Sequence, residues 1–452
     1  MSASTSGQLD SVTDVAPHSS YDALVIGAGA GGMAAAARLN HYGYRTLLVE
    51  SRDRVGGRAS TVDIDGFVVN TGAVVTELGG ENGRLFDEVG VDMGVRPAKR
   101  PLALRLGRRD IPLMSGPAGF AFRGALIGVG AVARRFGSLR PARGVTTSDW
   151  LTSLRAGPAV HRLVRSLTSA MFAAEPSDVE AALFFDYFTK KDALSTYGTH
   201  PEGSIGPWRA LAEKFQRTGG VLWLDSQVTA FTFDDNGAVN GALVRRAGEV
   251  VRVAVRLAVS NAGPVATVGM CGDGALPPGY ADEIRAQSRP STLITVNFAS
   301  RQHITDLDGL VFFGSTRRLA YASHLTATSP ALAPPGWYLY AGASTPHPAT
   351  GEFDTEAEIA LLKRDLLENF PEFGDARVLS VQICAGEEWP AQRAIAGRDL
   401  PPTTPIGNLW NVGDGVREWA GAGQSGCVAS ARIVTDRIRA EFPAAALRAP
   451  SY

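Results

Sequence analysis

Residues 21–61 read YDALVIGAGAGGMAAAARLNHYGYRTLLVESRDRVGGRAST, and this stretch decides the fold. It begins with an apolar run that ends at Ile26, turns through six residues of glycine and alanine, and continues with apolar residues at helical spacing. Gly43 stands where such a helix would end, and a second apolar run leads to the carboxylate of Glu50. Strand, glycine turn, helix, strand and acid is the order of a dinucleotide-binding βαβ unit.

Each residue of this motif has a physical role in that interpretation. Gly27 permits the tight turn, Gly29 lets the backbone approach a diphosphate, and Gly32 lets the helix pack close to the strand. The start of the helix offers unpaired N–H groups to the phosphates. Glu50 lies about twenty residues after the glycines, where a carboxylate accepts the hydroxyls of an adenosine ribose and disfavours a 2′-phosphate.

A second glycine pair, Gly56-Gly57, follows the acid and has arginines on both sides. A nicotinamide dinucleotide does not need it, whereas the longer flavin dinucleotide needs more N–H donors and a cation along its diphosphate. The segment resembles the double-glycine motif of the flavoprotein group that contains amine oxidases, protoporphyrinogen oxidases and carotenoid desaturases. By that resemblance, Arg58 lies beside the diphosphate of FAD, and Ser51 and Gly57 also lie at the cofactor.

Residues 408–426, NLWNVGDGVREWAGAGQSG, form the second cofactor motif. A short apolar strand ends at Gly413-Asp414, where the carboxylate can accept hydrogen bonds from the ribityl hydroxyls of FAD. The glycine-rich part then begins a helix near Gly423. The positive end of that helix would stabilise negative charge on the reduced flavin ring.

The same segment favours one branch of the flavoprotein group. Its AGAGQSG resembles the G-A-G-x-P-G signature of phytoene-desaturase-type proteins, with Ser425 in place of the usual proline. Amine oxidases tend to carry an aromatic residue just after the tryptophan-small-glycine segment, where this chain has Ala422 and Gly423. No cysteine lies in a setting that resembles the covalent flavin attachment of monoamine oxidases, so non-covalent FAD is expected.

The resemblance assigns two further contacts with FAD. Residues 72–74 are expected to pass the flavin ring, and the backbone at Val228 is expected to meet the adenine. The complete set of predicted cofactor-binding residues is Gly27, Gly29, Gly32, Glu50, Ser51, Gly57, Arg58, Gly72, Ala73, Val74, Val228, Gly413, Asp414 and Gly423.

The fold class that follows is α/β, with a discontinuous Rossmann-like FAD-binding domain of the glutathione-reductase type and a second domain. The FAD-binding domain is predicted to comprise residues 21–85, 200–290 and 400–442. The second, substrate-binding domain is predicted to be α+β, with a mixed or antiparallel sheet and a helical insert, and to comprise residues 86–199 and 291–399. Residues 1–20 are predicted to be a disordered tail.

Composition excludes several classes of function. The chain has 452 residues and a net charge of −1, without the basic bias that nucleic-acid binding requires. Its three cysteines are too widely spaced for a metal-ligand pair or a disulfide framework, so no metal is expected and a reduced cytoplasmic compartment is favoured. No apolar run reaches the length of a membrane-spanning helix.

Two parts of the insert have alternative interpretations. Residues 116–135 have an apolar centre with arginines on both sides, which fits a helix buried over the substrate cavity or a peripheral contact with the inner face of a membrane. Residues 163–188 bring together Met171, Tyr187 and several phenylalanines. These are predicted mainly as core, with an apolar pocket as the alternative.

The leading hypothesis is an FAD-dependent oxidoreductase of the phytoene-desaturase-like branch. By the resemblance, it transfers a hydride from an apolar, isoprenoid-like or carotenoid-like substrate to flavin N5. One alternative is a flavin amine or amino-acid oxidase that produces an imine and hydrogen peroxide. A remoter alternative is a non-enzymatic prenyl-binding escort on the same fold, similar to the GDP-dissociation inhibitors.

The residues that carry the chemical step are less well defined by the sequence. No residue stands out as a catalytic base. Arg417, Glu418 and Trp419 lie nearest the predicted position of the flavin ring, and they are the candidates for contact with substrate. The oligomeric state is left open.

Overall fold

The structure is a computed structural model that describes residues 20–107, 109–113, 116–117, 119–121, 124, 128, 140–189, 196–272, 274–386, 400–416 and 421–447. The predicted tail, apart from residue 20, and the candidates Arg417, Glu418 and Trp419 lie outside the described residues. Within the described residues, each helix is too short or too polar to cross a membrane.

The strands are β1 (Tyr21–Ile26), β2 (Thr46–Val49), β3 (Thr61–Ile64), β4 (Phe67–Asn70), β5 (Thr76–Glu77), β6 (Arg96–Pro97), β7 (Leu102–Leu106), β8 (Arg109–Pro112), β9 (Tyr197–Thr199), β10 (Val221–Trp223), β11 (Ser226–Phe233), β12 (Val239–Arg246), β13 (Glu249–Ser260), β14 (Leu293–Ser300), β15 (Leu310–Phe313), β16 (Tyr321–His324), β17 (Tyr338–Ser344), β18 (Arg377–Cys384) and β19 (Leu409–Asn411).

The helices are α1 (Ala30–His41), α2 (Gly80–Val89), α3 (Thr147–Ser153), α4 (Pro158–Phe172), α5 (Ala181–Thr189), α6 (Gly206–Arg217), α7 (Pro264–Cys271), α8 (Tyr280–Gln287), α9 (Thr355–Asn369), α10 (Gly423–Glu441) and α11 (Ala444–Leu447).

The first sheet has the strand order β10-β2-β1-β13-β12-β11, and β19 also pairs with β13. Strands β10, β2, β1, β13 and β19 are parallel, while β12 is antiparallel to both of its neighbours. All residues of β1 and β2 are buried, because helices and other strands cover both faces of these apolar runs. Helices α1, α6 and α10 share one hydrophobic core, with Met33, Trp208 and Val434 among its members.

The second sheet has the strand order β18-β14-β17-β16-β15-β7-β8. Its neighbours are antiparallel except for β15 and β7, which pair in parallel, so the sheet is mixed, as predicted. Helices α4 and α5 contribute to the hydrophobic core on one side. Leu362 and Leu366 of α9 belong to a separate core with residues of β14.

Residues 86–199 contain strands as well as helices. Strands β6 to β9 lie in this segment, and β7 and β8 form one end of the second sheet. In β7, Leu102 and Ala103 are both buried but belong to different hydrophobic cores, as neighbouring residues of a strand do. The strand is fixed by its pairing with β15, about 200 residues further along the chain, which local composition does not indicate.

The segments that build each sheet lie within the segments predicted for the two domains, although the domain boundaries themselves stay a prediction. Three parallel strands of the first sheet end at the same edge, because Ile26 is opposite Ser260 and Ser260 is opposite Asn411. The residues that follow these three strand ends therefore meet at one place. Ligands of open α/β sheets bind at such an edge.

Candidate functional site

A cavity of about 750 Å³ opens at this edge of the first sheet and extends towards the second sheet. Its volume lies within the range of about 300–1,000 Å³ that ligand sites occupy. Most of the residues predicted to bind the cofactor line this one cavity, namely Gly27, Gly29, Glu50, Ser51, Gly57, Arg58, Gly72, Ala73, Val74, Val228, Asp414 and Gly423. Gly32 and Gly413 are not among its lining residues.

The first glycine turn joins β1 to α1 in the way that the sequence predicts. Gly27 has a φ of 86°, which favours glycine, and its N–H donates to the carbonyl oxygen of Val49 at 2.8 Å. A Cβ on Gly32 would stand 1.8 Å from the carbonyl oxygen of Gly27, so the helix packs directly on the turn. Gly29, at the N-cap of α1, has no side chain, and it lines the cavity beside the first N–H groups of the helix.

Glu50 connects the end of β2 to the glycine turn. Its side chain is buried, and its Oε2 accepts a hydrogen bond from the N–H of Ala28 at 2.6 Å. Its Oε1 accepts from the N–H of Arg52 at 2.9 Å. The carboxylate therefore holds the turn in place from within the cavity, a role beyond the one predicted for it.

The second glycine turn lies against the first. The N–H of Gly56 donates to the carbonyl oxygen of Ala28 at 2.8 Å, and a Cβ on Gly57 would stand 3.2 Å from the Cα of Gly29. The 72–74 segment follows, with the N–H of Ala73 donating to the carbonyl oxygen of Arg58 at 3.0 Å. Two stretches with little side-chain bulk thus form one wall, which suits the close approach of a diphosphate.

An ion pair joins the two cofactor motifs across the chain. The guanidinium group of Arg58 donates to the carboxylate of Asp414, 356 residues away. Burial lowers the pKa of Arg58, but the charge of Asp414 and its hydrogen bond outweigh that effect and hold the pKa above its usual value. Asp414 lies just after β19, so both charges face the cavity from the strand-end edge.

The far part of the cavity is lined mainly by apolar and phenolic side chains. They come from α4, α5, β9 and the second sheet, and they include Met171, Tyr187, Tyr197, Leu293, Leu310 and Tyr321. Burial raises the pKa of Tyr197 and that of Tyr321, so both phenols are neutral hydrogen-bond donors at physiological pH. Glu77 also lines this part and lies opposite Tyr197 in the pair of β5 and β9.

The start of α10 faces the cavity through Gly423, Gln424 and Cys427. This is the helix start that the second motif predicts. No disulfide joins the three cysteines, all of which are buried, and Cys384 also lines the cavity. Burial raises the pKa of the Cys384 thiol to about 11, so it is protonated at neutral pH.

Comparison with known proteins agrees with this geometry. A model of the NAD(P)-binding Rossmann-like domain matches residues 25–89. The Mycobacterium tuberculosis protein with the provisional name flavin-containing monoamine oxidase AofH is 30% identical over 182 residues, which cover 36% of this chain and 39% of that protein. The neurosporene-forming phytoene desaturase of Rhodobacter capsulatus is 41% identical over 73 residues, which cover 15% of this chain and 14% of that protein. Segments of this chain are therefore similar to segments of flavin amine oxidases and phytoene desaturases.

Solved structures extend the likeness of fold to nearly the whole chain. An oxidoreductase from Methanosarcina mazei has a TM-score of 0.79 and 23% identity, and the match covers 92% of this chain and 100% of that chain. A variant of putrescine oxidase has a TM-score of 0.68 and 18% identity, with 93% and 99% covered. The predicted resemblance to the amine oxidase and desaturase group and the predicted fold class are therefore confirmed.

The aromatic residues of the insert divide between the two interpretations. Met171 and Tyr187 line the cavity, and Met171 also belongs to the core, whereas Phe172, Phe184 and Phe188 are core residues that do not line the cavity. Helical spacing alone did not separate the two groups, because α5 and the C-terminal half of α4 are buried on most sides.

Asn261 is a site residue that sequence reasoning missed. It follows β13, its N–H donates to the carbonyl oxygen of Ile26 at 2.7 Å, and it lines the cavity. Its side chain lies between the two motifs, since a Cβ on Gly31 would stand 2.7 Å from its Oδ1 and one on Gly413 would stand 2.2 Å from the same atom. The available signal was a polar residue directly after a buried strand that pairs with β1.

Proposed function

We propose that the chain is an FAD-dependent oxidoreductase that holds FAD without a covalent bond and dehydrogenates an apolar substrate. The observation that carries the proposal is one continuous cavity with two kinds of lining. One part consists of the two glycine turns, Glu50 and the ion pair between Arg58 and Asp414. The other part consists mainly of methionine, leucine and tyrosine side chains.

The residues present fit a flavin dinucleotide. Glu50 suits the ribose, the glycine turns and the first N–H groups of α1 suit the diphosphate, and Asp414 suits the ribityl hydroxyls. Arg58 supplies positive charge next to the diphosphate position.

Bound FAD would supply a hydride acceptor, so that a substrate losing a hydride and a proton gains a carbon–carbon double bond. The chain's own contribution is to orient an apolar substrate between Met171, Leu293 and Leu310 and to exclude water from it. The neutral phenols of Tyr197 and Tyr321 offer hydrogen bonds without adding charge.

Amine oxidation is a second candidate, and Glu77 favours it. A carboxylate in the substrate part of the cavity could pair with the ammonium group of an amine. A polyene has no charged group that could pair with this carboxylate. The relatives of the chain include a protein with the name of a monoamine oxidase as well as a phytoene desaturase.

The visible spectrum of the purified protein tests the proposed cofactor and the substrate class together. We expect flavin absorbance that denaturation releases into solution, since FAD is held non-covalently. Under anaerobic conditions, a polyene such as phytoene should bleach this absorbance, whereas putrescine and benzylamine should not. A protein that stays colourless after addition of FAD would contradict the proposal and favour the prenyl-binding escort.

A Glu77→Gln variant separates the two substrate classes. If amines are the substrates, it should raise the KM for an amine about 10-fold or more, because a charge-assisted hydrogen bond becomes a neutral one. If polyenes are the substrates, bleaching by phytoene should proceed as in the wild type. Bleaching and peroxide release with amines alone would establish amine oxidation.

Glu50→Ala should weaken FAD binding by at least about 10-fold, because the carboxylate loses its hydrogen bonds to the ribose. It should also lower the free energy of unfolding by about 1–3 kcal/mol, since the N–H groups of Ala28 and Arg52 lose their acceptor. Flavin titration of the apoprotein and urea denaturation measure the two effects.

Glu358→Ala is the matched control for this prediction. Glu358 is buried to the same extent as Glu50, 5% exposed in each case, but it lies on α9 and pairs with Arg318, between β15 and β16. The Glu358→Ala variant should be less stable than the wild type and should bind FAD with the wild-type affinity. An unchanged affinity in Glu50→Ala would refute the ribose assignment.

A further inference from the structure

Basic residues are concentrated in one part of the chain. Residues 96–165 contain 14 of the chain's 44 Lys and Arg residues but only 2 of its 45 Asp and Glu residues. Because the net charge of the whole chain is −1, the remainder is net negative. Such a separation of charge in a nearly neutral chain indicates a partner of opposite charge for the basic segment.

Part of this positive charge is neutralised within the fold. Arg105, Arg140 and Arg165 form ion pairs with carboxylates. Arg155 and Arg162 differ, since both are exposed and neither forms an ion pair with any residue in the described parts of the chain. These two arginines are therefore available to an external partner.

Exposed apolar side chains accompany the two arginines. Residues 154–162 form the corner between α3 and α4, where Leu154 is 59% exposed and Val160 is 44% exposed. The backbone of the corner is held by hydrogen bonds, with the N–H of Arg155 donating to Thr152 and that of Ala156 donating to Leu151. Leu154 is thus held outward by an ordered turn.

We propose that the α3–α4 corner, residues 154–162, docks on a membrane surface that contains anionic lipids. Apolar side chains next to arginines suit the boundary between headgroups and acyl chains, where the apolar groups enter and the guanidinium groups bind lipid phosphate. A nucleic acid would use the arginines but would leave Leu154 and Val160 in water. The lipid surface is therefore the partner that both features fit.

Helix α4 connects this corner to the cavity. Its first two turns carry Val160 and Arg162, and its last turn contributes Ala170 and Met171 to the apolar part of the cavity. Ten residues of helix place Val160 about 15 Å from Ala170 along the helix axis. A chain docked by this corner would hold its apolar cavity close to the phase in which apolar substrates dissolve.

The backbone conformation of Arg155 makes a glycine variant at this position informative. Arg155 follows the C-terminal end of α3 with a φ of 54°, in the left-handed conformation that favours glycine at this position. Arg155→Gly therefore removes the positive charge without adding backbone strain.

One of the two sequence-based interpretations of residues 116–135 was a contact with a membrane, and the proposed contact lies elsewhere in the chain. The described residues of that segment are 116–117, 119–121, 124 and 128, of which Phe120 is 71% exposed. The proposal depends on the α3–α4 corner alone.

Co-sedimentation of the full chain with lipid vesicles tests the proposal. The protein should sediment with vesicles of phosphatidylcholine and phosphatidylglycerol, should remain in solution with phosphatidylcholine alone, and should dissociate as salt is raised. Arg155→Gln/Arg162→Gln should lower the vesicle partition coefficient about 30-fold. Leu154→Ser/Val160→Ser should lower it about 10-fold or more.

Two control variants make the result specific. Arg252→Gln/Arg256→Gln removes the same charge from exposed positions of β13 and should bind vesicles as the wild type does. Arg155→Gly should keep or raise the urea midpoint, because glycine accepts the left-handed conformation, and should still weaken vesicle binding. Loss of binding in a variant that is at least as stable as the wild type cannot arise from misfolding.

Three outcomes would overturn the proposal. The first is no sedimentation of the wild type with anionic vesicles. The second is equal loss of binding in the corner variants and in the β13 control. The third is displacement from vesicles by a soluble DNA duplex together with unchanged binding of Leu154→Ser/Val160→Ser, which would make the corner a general site for polyanions.

Discussion

Gly32→Ala is expected to lower the free energy of unfolding by at least about 3 kcal/mol and to abolish the retention of FAD. An added Cβ would stand 1.8 Å from the carbonyl oxygen of Gly27 and 3.0 Å from the Cβ of Asn261. The helix α1 must therefore move away from the glycine turn. That movement would take its first N–H groups away from the diphosphate position and disturb the core it shares with α6 and α10.

Gly407→Ala is the control for this prediction. A Cβ on Gly407 would have no described atom within 4 Å, and its φ does not lie in the left-handed region, so its stability should stay within about 0.5 kcal/mol of the wild type. Urea denaturation measures the stability of both variants, and absorbance after gel filtration measures their flavin content. A Gly32→Ala protein with wild-type stability and full flavin content would show that α1 does not pack on the turn as described.

The cofactor end of the molecule was predictable because its constraints are local. Glycine is favoured at position 27 because φ is 86° there, and at position 32 because a contact leaves no room for a Cβ. Each requirement is met by a residue type within one βαβ unit, so the sequence displays it directly. The second motif was predictable for the same reason, because the strand that ends before Gly413 and the helix that begins at Gly423 lie in one short stretch of the sequence.

The features that were missed depend on pairings between distant segments. Strand β7 is fixed by β15, and Asn261 comes to the site because β13 pairs with both β1 and β19. A similar limit applies to Glu50, whose bond to Ala28 requires the fold of the turn. The residue types showed that these positions were polar or apolar, but only the tertiary structure showed which distant residue each of them contacts.

The substrate end of the cavity has no comparable local signature. Its lining comes from α4, α5, β5, β9 and strands of the second sheet, each contributing one or two side chains. Such side chains are ordinary core residues by sequence, as Phe172 and Phe184 are in fact. Only their arrangement around a cavity distinguishes Met171 and Tyr187 from their neighbours, so the proposed substrate class rests on the lining of the cavity.

The ion pair between Arg58 and Asp414 leads to the second large effect. Asp414→Asn and Arg58→Gln should each weaken FAD binding by about 1.5–3 kcal/mol, or about 10- to 150-fold, because each removes a charged group from the cofactor wall. Their effects on the stability of the apoprotein should differ. The side chain of Asp414 is 4% exposed, whereas that of Arg58 is 25% exposed towards the cavity, where water can solvate it.

Arg58→Gln should therefore destabilise the apoprotein more than Asp414→Asn does, since it leaves the more deeply buried of the two charges without this partner. The double variant should be less destabilised than the sum of the single variants, with a coupling energy of about 0.5–3 kcal/mol. Urea denaturation of the four flavin-free proteins completes the cycle. Strict additivity would mean that the two motifs are held together by their strands and turns alone, and that the ion pair serves only the cofactor.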